Sequence, residues 1–169
     1  RYNNSGSSNI GIGYTALYFN TTGYSNIAVG TGALFNTGNR NNLVAVGDSA
    51  LFNNGTGATE TAHGIANTAI GSKALFTNTT GYFNTANGSN ALFSNTTGFQ
   101  NVASGTGSLR FNNTGALNTS TGFNSLFTNT SGNENSAFGN AALSSNSTGH
   151  SNSAFGNASL FNNTSGNKN

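Results

Sequence analysis

The sequence predicts an all-β chain, a parallel β-solenoid of the β-roll or β-helix kind with about nine coils of 17 residues, and three observations predict it. Leu17, Leu34, Leu51, Leu75, Leu92, Leu109, Leu126, Leu143 and Leu160 follow one another at intervals of 17, with a single interval of 24. Gly13, Gly30, Gly47, Gly71, Gly88, Gly105, Gly122, Gly139 and Gly156 keep the same register four residues upstream. Just ahead of those glycines, small or polar residues alternate with β-branched ones, as in Asn26-Ile27-Ala28-Val29-Gly30 and Leu43-Val44-Ala45-Val46-Gly47.

Each part of the unit N-x-A-x-G-x-x-A-L-F-x-N-T-T-G-x-x then has a structural reason. The N-x-A-x-G segment reads as a strand, and Ala33-Leu34-Phe35 with its equivalents is expected to be a second short one. Glycines of the Gly13 and Gly23 types mark two corners per coil, because positive φ costs glycine nothing. A coil of 17 residues suits short strands joined by such corners, whereas helical repeats run to about 33 residues or more. The leucines, with the narrow ladder Ala28, Ala45, Ala69, Ala86, Ala103, Ala137 and Ala154, form a thin core in which each coil is covered by its neighbours. Asn9, Asn26, Asn67, Asn84, Asn101, Asn118, Asn135 and Asn152 make a further column suited to an asparagine ladder, with Leu43 as its exception. The one long interval places a seven-residue insertion loop at residues 58–64. A single domain, 1–169, spans the chain, and about nine coils at about 4.8 Å give a rod of roughly 43 Å.

Composition excludes several function classes. Only 5% of residues are charged, and Pro, Cys, Met and Trp are absent. Without periodicity such a bias would leave the chain disordered, but a disordered tract has no reason to hold Leu and Gly in fixed columns. The net charge of +2 is scattered, so no basic stripe is available to neutralise phosphates and no nucleic-acid partner is expected. Lack of cysteine excludes a disulfide framework and a thiolate metal site, and leaves the redox compartment open. No apolar run approaches 18 residues, so no membrane insertion is expected, and these residues show no signal-peptide pattern, which earlier processing would have removed. A start at Arg1 with no Met points to a processed product or an excised piece of a longer protein.

The pattern N-x-A-[VI]-G-x-x-A-L, as in Asn26 to Leu34 and Asn67 to Leu75, resembles the head repeats of trimeric autotransporter adhesins and the repeat regions of related phage and bacterial tail-fibre proteins. That resemblance implies a left-handed parallel β-roll displayed outside the cell and used for attachment.

A column of sequons is the strongest chemical signal. Asn20, Asn54, Asn78, Asn95, Asn112, Asn129, Asn146 and Asn163 each stand two residues before Ser or Thr, and only Thr37 breaks the column. Less ordered matches occur at Asn3, Asn87, Asn118, Asn157 and Asn162. One reading is a row of covalent glycans along one edge; the other is that N-T-T-G is simply a good turn sequence. Beside it runs an aromatic column, Tyr18, Phe35, Phe52, Phe76, Phe93, Phe127 and Phe161, interrupted by Arg110 and Ser144. If Leu points inward, alternation turns these rings outward as an interface or a carbohydrate-stacking surface; a bent corner would instead admit both to the core.

Ionisable residues gather only at the insertion, where Glu60 and His63 come near Asp48 and Lys73 in sequence. A protruding loop is the expectation there, and no catalytic residue, metal or cofactor site is assigned. His150 stands alone, and calcium-binding solenoids need rows of Asp where this chain has one. Glycine pairs such as Gly11 and Gly13 are repeat corners rather than a phosphate loop.

The expected function is a non-enzymatic structural subunit of an extracellular or cell-surface fibre. Its partner is itself, as a homopolymer stacked end to end or as a trimer, because neither end carries a cap over its strand edges. An adhesin head or phage tail-fibre segment binding surface carbohydrate is the alternative. An ice-binding solenoid stands third, since its flat face would need regular Thr-x-Thr strands and Thr119 and Thr121 are an isolated example.

Overall fold

A computed structural model describes residues 5–169. Nine strands of three residues form one parallel sheet in chain order. They are β1 (Ile10–Ile12), β2 (Ile27–Val29), β3 (Val44–Val46), β4 (Thr68–Ile70), β5 (Thr85–Asn87), β6 (Val102–Ser104), β7 (Thr119–Thr121), β8 (Ser136–Phe138) and β9 (Ser153–Phe155). Ala28 pairs with Ala45 and Ala45 with Ala69, so the register passes the insertion without a slip. The fold is a β-solenoid of about nine turns, as the leucine spacing predicts. No helix among the described residues is long and apolar enough to cross a membrane.

Alternation within each strand turns its middle residue inward. Ala28, Ala45, Ala69, Ala86, Ala103 and Ala137 are fully buried, and the repeat leucines from Leu34 to Leu143 lie beside them with no exposed surface. Each such leucine contributes about 2 kcal/mol through removal of apolar area from water. Leu17 is nearly covered, whereas Leu160, in the last coil, has no following coil to cover it and is 37% exposed. A second buried ladder, Ala16, Ala33, Ala50, Ala74, Ala91 and Ala142, precedes the leucines. Where Ser108, Ser120 and Ser125 replace alanine, their hydroxyls are satisfied together: Ser108 Oγ lies 2.8 Å from Ser120 Oγ, Ser120 Oγ donates to the Ser125 carbonyl at 3.0 Å, and Ser125 Oγ to the Ala137 carbonyl at 3.3 Å.

The second strand expected at Ala33-Leu34-Phe35 is absent. Ala33 and Leu34 lie in a turn, Phe35 follows it in irregular structure, and Leu34 has φ of 50°, in the left-handed region. The other repeat leucines share this conformation, with φ between 48° and 53°. Such a residue interrupts strand alternation, which is why Ala33 and Leu34 both point inward although they are adjacent. The strain is of order 1–2 kcal/mol per leucine and persists because the stack over-determines it.

The two-glycine account of the corners also needs correction. In the coil opening at Asn84, φ is positive at Gly88 (138°), Asn90 (57°), Leu92 (51°) and Gln100 (54°). Glycine is required at the first of these, since a Cβ on Gly88 would sit 2.6 Å from the Gly105 carbonyl carbon. Gly98, of the Gly23 type, is not left-handed; a Cβ there would overlap the Gly115 carbonyl oxygen and the Asn95 side chain.

The insertion boundary shifts as well. Asn54 Nδ2 donates to the Gly64 carbonyl at 2.7 Å, as Asn78 Nδ2 does to Gly81 three residues on. Gly64 therefore takes the corner position of its coil, though with φ of 68° where Gly81 and Gly98 are not left-handed, and the seven extra residues lie within 56–63 rather than 58–64.

Candidate functional site

The sequon column lies inside the rod. Asn20, Asn54, Asn78, Asn95, Asn112, Asn129 and Asn146 are fully buried, and Asn163 is partly so. From Asn54 onward their amides form a continuous ladder. Asn112 Nδ2 donates to Asn95 Oδ1 at 2.8 Å and to the Gly115 carbonyl at 2.9 Å, while its own Oδ1 accepts from Asn129 Nδ2 at 2.7 Å. N-glycosylation replaces a hydrogen on that same Nδ2 and needs a path to solvent, so the folded column has no room for a glycan. The glycan reading is overturned at the seven fully buried positions, Asn20 to Asn146. Of the scattered matches, Asn118 belongs to the other ladder and is fully buried, and Asn3 lies outside the described residues.

That other ladder is where the sequence places it. Asn84, Asn101, Asn118, Asn135 and Asn152 each donate Nδ2 to the glycine carbonyl fourteen residues on, and each Oδ1 accepts the backbone N–H of the next Asn in the column. Each buried amide thus meets its partners, which is the condition for burying so many without penalty.

The aromatic column is half-buried rather than fully outward or inward. Tyr18, Phe35, Phe52, Phe76 and Phe93 stack with centroids 5.3, 4.7, 5.3 and 5.4 Å apart and planes within 18° of parallel. Where the aromatic series breaks, the Arg110 guanidinium takes the place of a ring, 5.9 Å from the centroids of both Phe93 and Phe127. Because the rings face one another along the stack, each interior ring offers solvent its edge. A sugar stacks on a ring face, so this column does not provide the carbohydrate platform expected of it. Phe161, in the last coil, is exposed.

At the insertion, His63 Nε2 lies 3.6 Å from Glu60 Oε2. The Lys73 N–H donates to the Asp48 carbonyl at 2.8 Å, and no ion pair among the described residues joins these two pairs. The residue that governs the loop is one the sequence did not single out. Arg40 occupies the corner column held by Gly23, Gly64 and Gly81 in other coils, and is only 6% exposed. Its guanidinium donates to the carbonyls of Ala58 and Glu60 in the loop. Burial lowers its pKa below the usual arginine value.

The outer face of the sheet is a further surface. Two side chains of each strand point away from the core, and none of the eighteen is charged. On β1 to β3 they are all Ile or Val.

No protein-family model, curated protein or solved structure matches this chain.

Proposed function

We propose that the chain is a structural subunit of an extracellular or cell-surface fibre, lengthened by end-to-end stacking of β-solenoids. One observation carries the reading. Strand pairing, both asparagine ladders and the aromatic stack run along one axis, and each coil offers the next the groups it accepts from the one before. Asn163 reaches Asn146 at 3.0 Å just as Asn146 reaches Asn129 at 3.0 Å. A coil is thus complementary to another copy of itself, and strand edges at the limit of a stack favour further addition. This reading assigns the chain no catalysis and no cofactor; the extracellular setting follows from the family resemblance. The test is electron microscopy and sedimentation of the purified chain over a range of concentrations. Filaments whose diffraction carries an axial spacing of about 4.8 Å are expected. A monomer at every concentration would end the proposal.

An adhesin head or tail-fibre segment is the second reading, and Phe83 favours it. This ring is 51% exposed and stands at 78° to Tyr82, which stacks on Phe99 at 5.1 Å. Its plane lies outside the stack, so its face can receive a sugar ring. Binding to a surface-glycan array that Phe83→Ala abolishes would support adhesion; an array without signal removes it.

A further inference from the structure

We infer that Arg110 and Phe111 form a subsite for a carboxylate-bearing sugar, an inference that rests on the adhesive reading for its setting and names the class of glycan taken. Arg110 stands in the aromatic column, where a phenylalanine would continue the stack without introducing charge. Its guanidinium carbon lies 5.9 Å from the centroids of Phe93 in the coil before and Phe127 in the coil after, and 5.5 Å from that of Phe111. Three rings thus hold the fork in place before any ligand arrives. Nε is buried without a hydrogen-bond partner, and among the described residues no oxygen accepts from the rest of the guanidinium. Arg40 makes the contrast, since it is more deeply buried and donates to the Ala58 and Glu60 carbonyls. The acids of the chain, Asp48, Glu60 and Glu134, form no ion pair with Arg110, so its charge is left without a partner in its own chain.

The surroundings of that fork select an anion attached to a sugar. A guanidinium edge presents paired N–H donors whose spacing matches the two oxygens of a carboxylate. Phe93, stacked on Phe76 within 5° of parallel, turns its edge outward, and a ring edge carries the positive part of the quadrupole, so it adds to the attraction for an anion. Phe111 supplies the apolar half of the site. It is 43% exposed and stands at 88° to Phe127 with centroids 5.0 Å apart, so its plane lies across that of its neighbour. An acidic sugar rests its C–H surface on the exposed part of this ring while its carboxylate meets the fork.

The probe is a galacturonic acid oligomer, titrated calorimetrically into the purified chain, with its methyl ester and sodium acetate as comparisons. The free acid should bind, and the ester, which keeps the sugar and loses the charge, should bind roughly tenfold more weakly or worse. Arg110→Phe completes the ring stack, so the rod should stay folded while affinity for the acid falls by a similar factor. Arg110→Lys keeps the charge without the fork and should fall between the two. Phe111→Ala should weaken the oligomer and leave acetate unchanged. No binding of the acid, equal binding of acid and ester, or an affinity that neither Arg110→Phe nor Phe111→Ala changes overturns the inference. Acetate binding as tightly as the oligomer overturns it too, since the site would then hold an anion and no sugar. The surface-glycan array separates this result from adhesion. Array binding that Phe83→Ala removes, with no response to the acid, leaves adhesion in place and overturns the subsite. Acid binding that Arg110→Phe removes, in a chain silent on the array, keeps the subsite and removes adhesion.

Discussion

Arg40 Nη1 donates to the Glu60 carbonyl at 2.8 Å, and Nη2 to the Ala58 carbonyl at 3.0 Å, so a buried guanidinium in one coil holds the loop inserted into the next. At a regular corner the following coil leaves no space for a side chain: a Cβ on Gly81 would overlap the Gly98 carbonyl oxygen. Above Arg40 the insertion supplies two carbonyls that satisfy the charge. Arg40 and residues 56–63 therefore depend on one another.

Removing the seven extra residues while keeping Arg40 should destabilise the rod by about 3–5 kcal/mol, because a buried charge loses its acceptors and meets a closed corner. Arg40→Gly in the same background should recover most of that loss. Arg40→Gly alone should leave the rod folded and make the loop several-fold more sensitive to a protease. Denaturant midpoints and limited proteolysis measure the cycle; additive losses would show that the two are independent.

Leu92 and Phe93 are adjacent and predict different losses. Leu92 is fully buried, so Leu92→Ala should cost about 2–5 kcal/mol. Phe93 is half-buried between the Phe76 ring at 5.4 Å and the Arg110 guanidinium at 5.9 Å, and Phe93→Ala should cost about 1–2 kcal/mol. Equal shifts in the unfolding midpoint would contradict this division of core and stack.

How far these roles can be read in the sequence depends on what each column demands of residue type. The leucines were legible because an interior covered only by neighbouring coils selects one apolar residue at a fixed spacing. The ladder containing Asn112 was visible as a column but not as an interior one, since N-x-T serves a glycan site, a turn and a buried amide ladder alike. Left-handed residues such as Phe83, Gln100, Leu117 and Glu134 gave no signal, because the stack imposes that conformation whatever the side chain. The loop was found from the interval between Leu51 and Leu75 but placed at 58–64, because Gly57 follows Asn54 by three residues as Gly81 follows Asn78, and only the bond from Asn54 to Gly64 shows which glycine is the corner. Arg40 was one basic residue among five until its buried contacts were seen.

Burial of the sequon column predicts unmodified asparagine in the native protein. Peptide mapping of material from its natural source should find the peptides containing Asn78, Asn95, Asn112 and Asn129 at their unmodified mass. A hexosamine on any of these four would require the ladder to be open at that coil, and would overturn its placement.

Replacing one ladder amide by a carboxyl makes that placement testable through pH. Asn112 donates to Asn95 Oδ1 and to the Gly115 carbonyl, and accepts from Asn129. In Asn112→Asp an ionised carboxylate can only accept, so it would face two acceptors while fully desolvated, and both effects favour the protonated form. The folded pKa therefore rises above the unfolded value of about 3.9. With the folded state binding more protons, stability is greatest below about pH 3.9 and falls by up to about 1.4 kcal/mol per pH unit until the folded pKa is passed. Asn113→Asp is the control, since Asn113 is exposed and already serves as an acceptor for the Thr96 hydroxyl. Unfolding midpoints at pH 3, 5 and 7 should fall steeply for Asn112→Asp relative to the parent chain and hardly move for Asn113→Asp. Parallel profiles for the two variants would mean that the Asn112 side chain reaches solvent, and the buried ladder would be wrong.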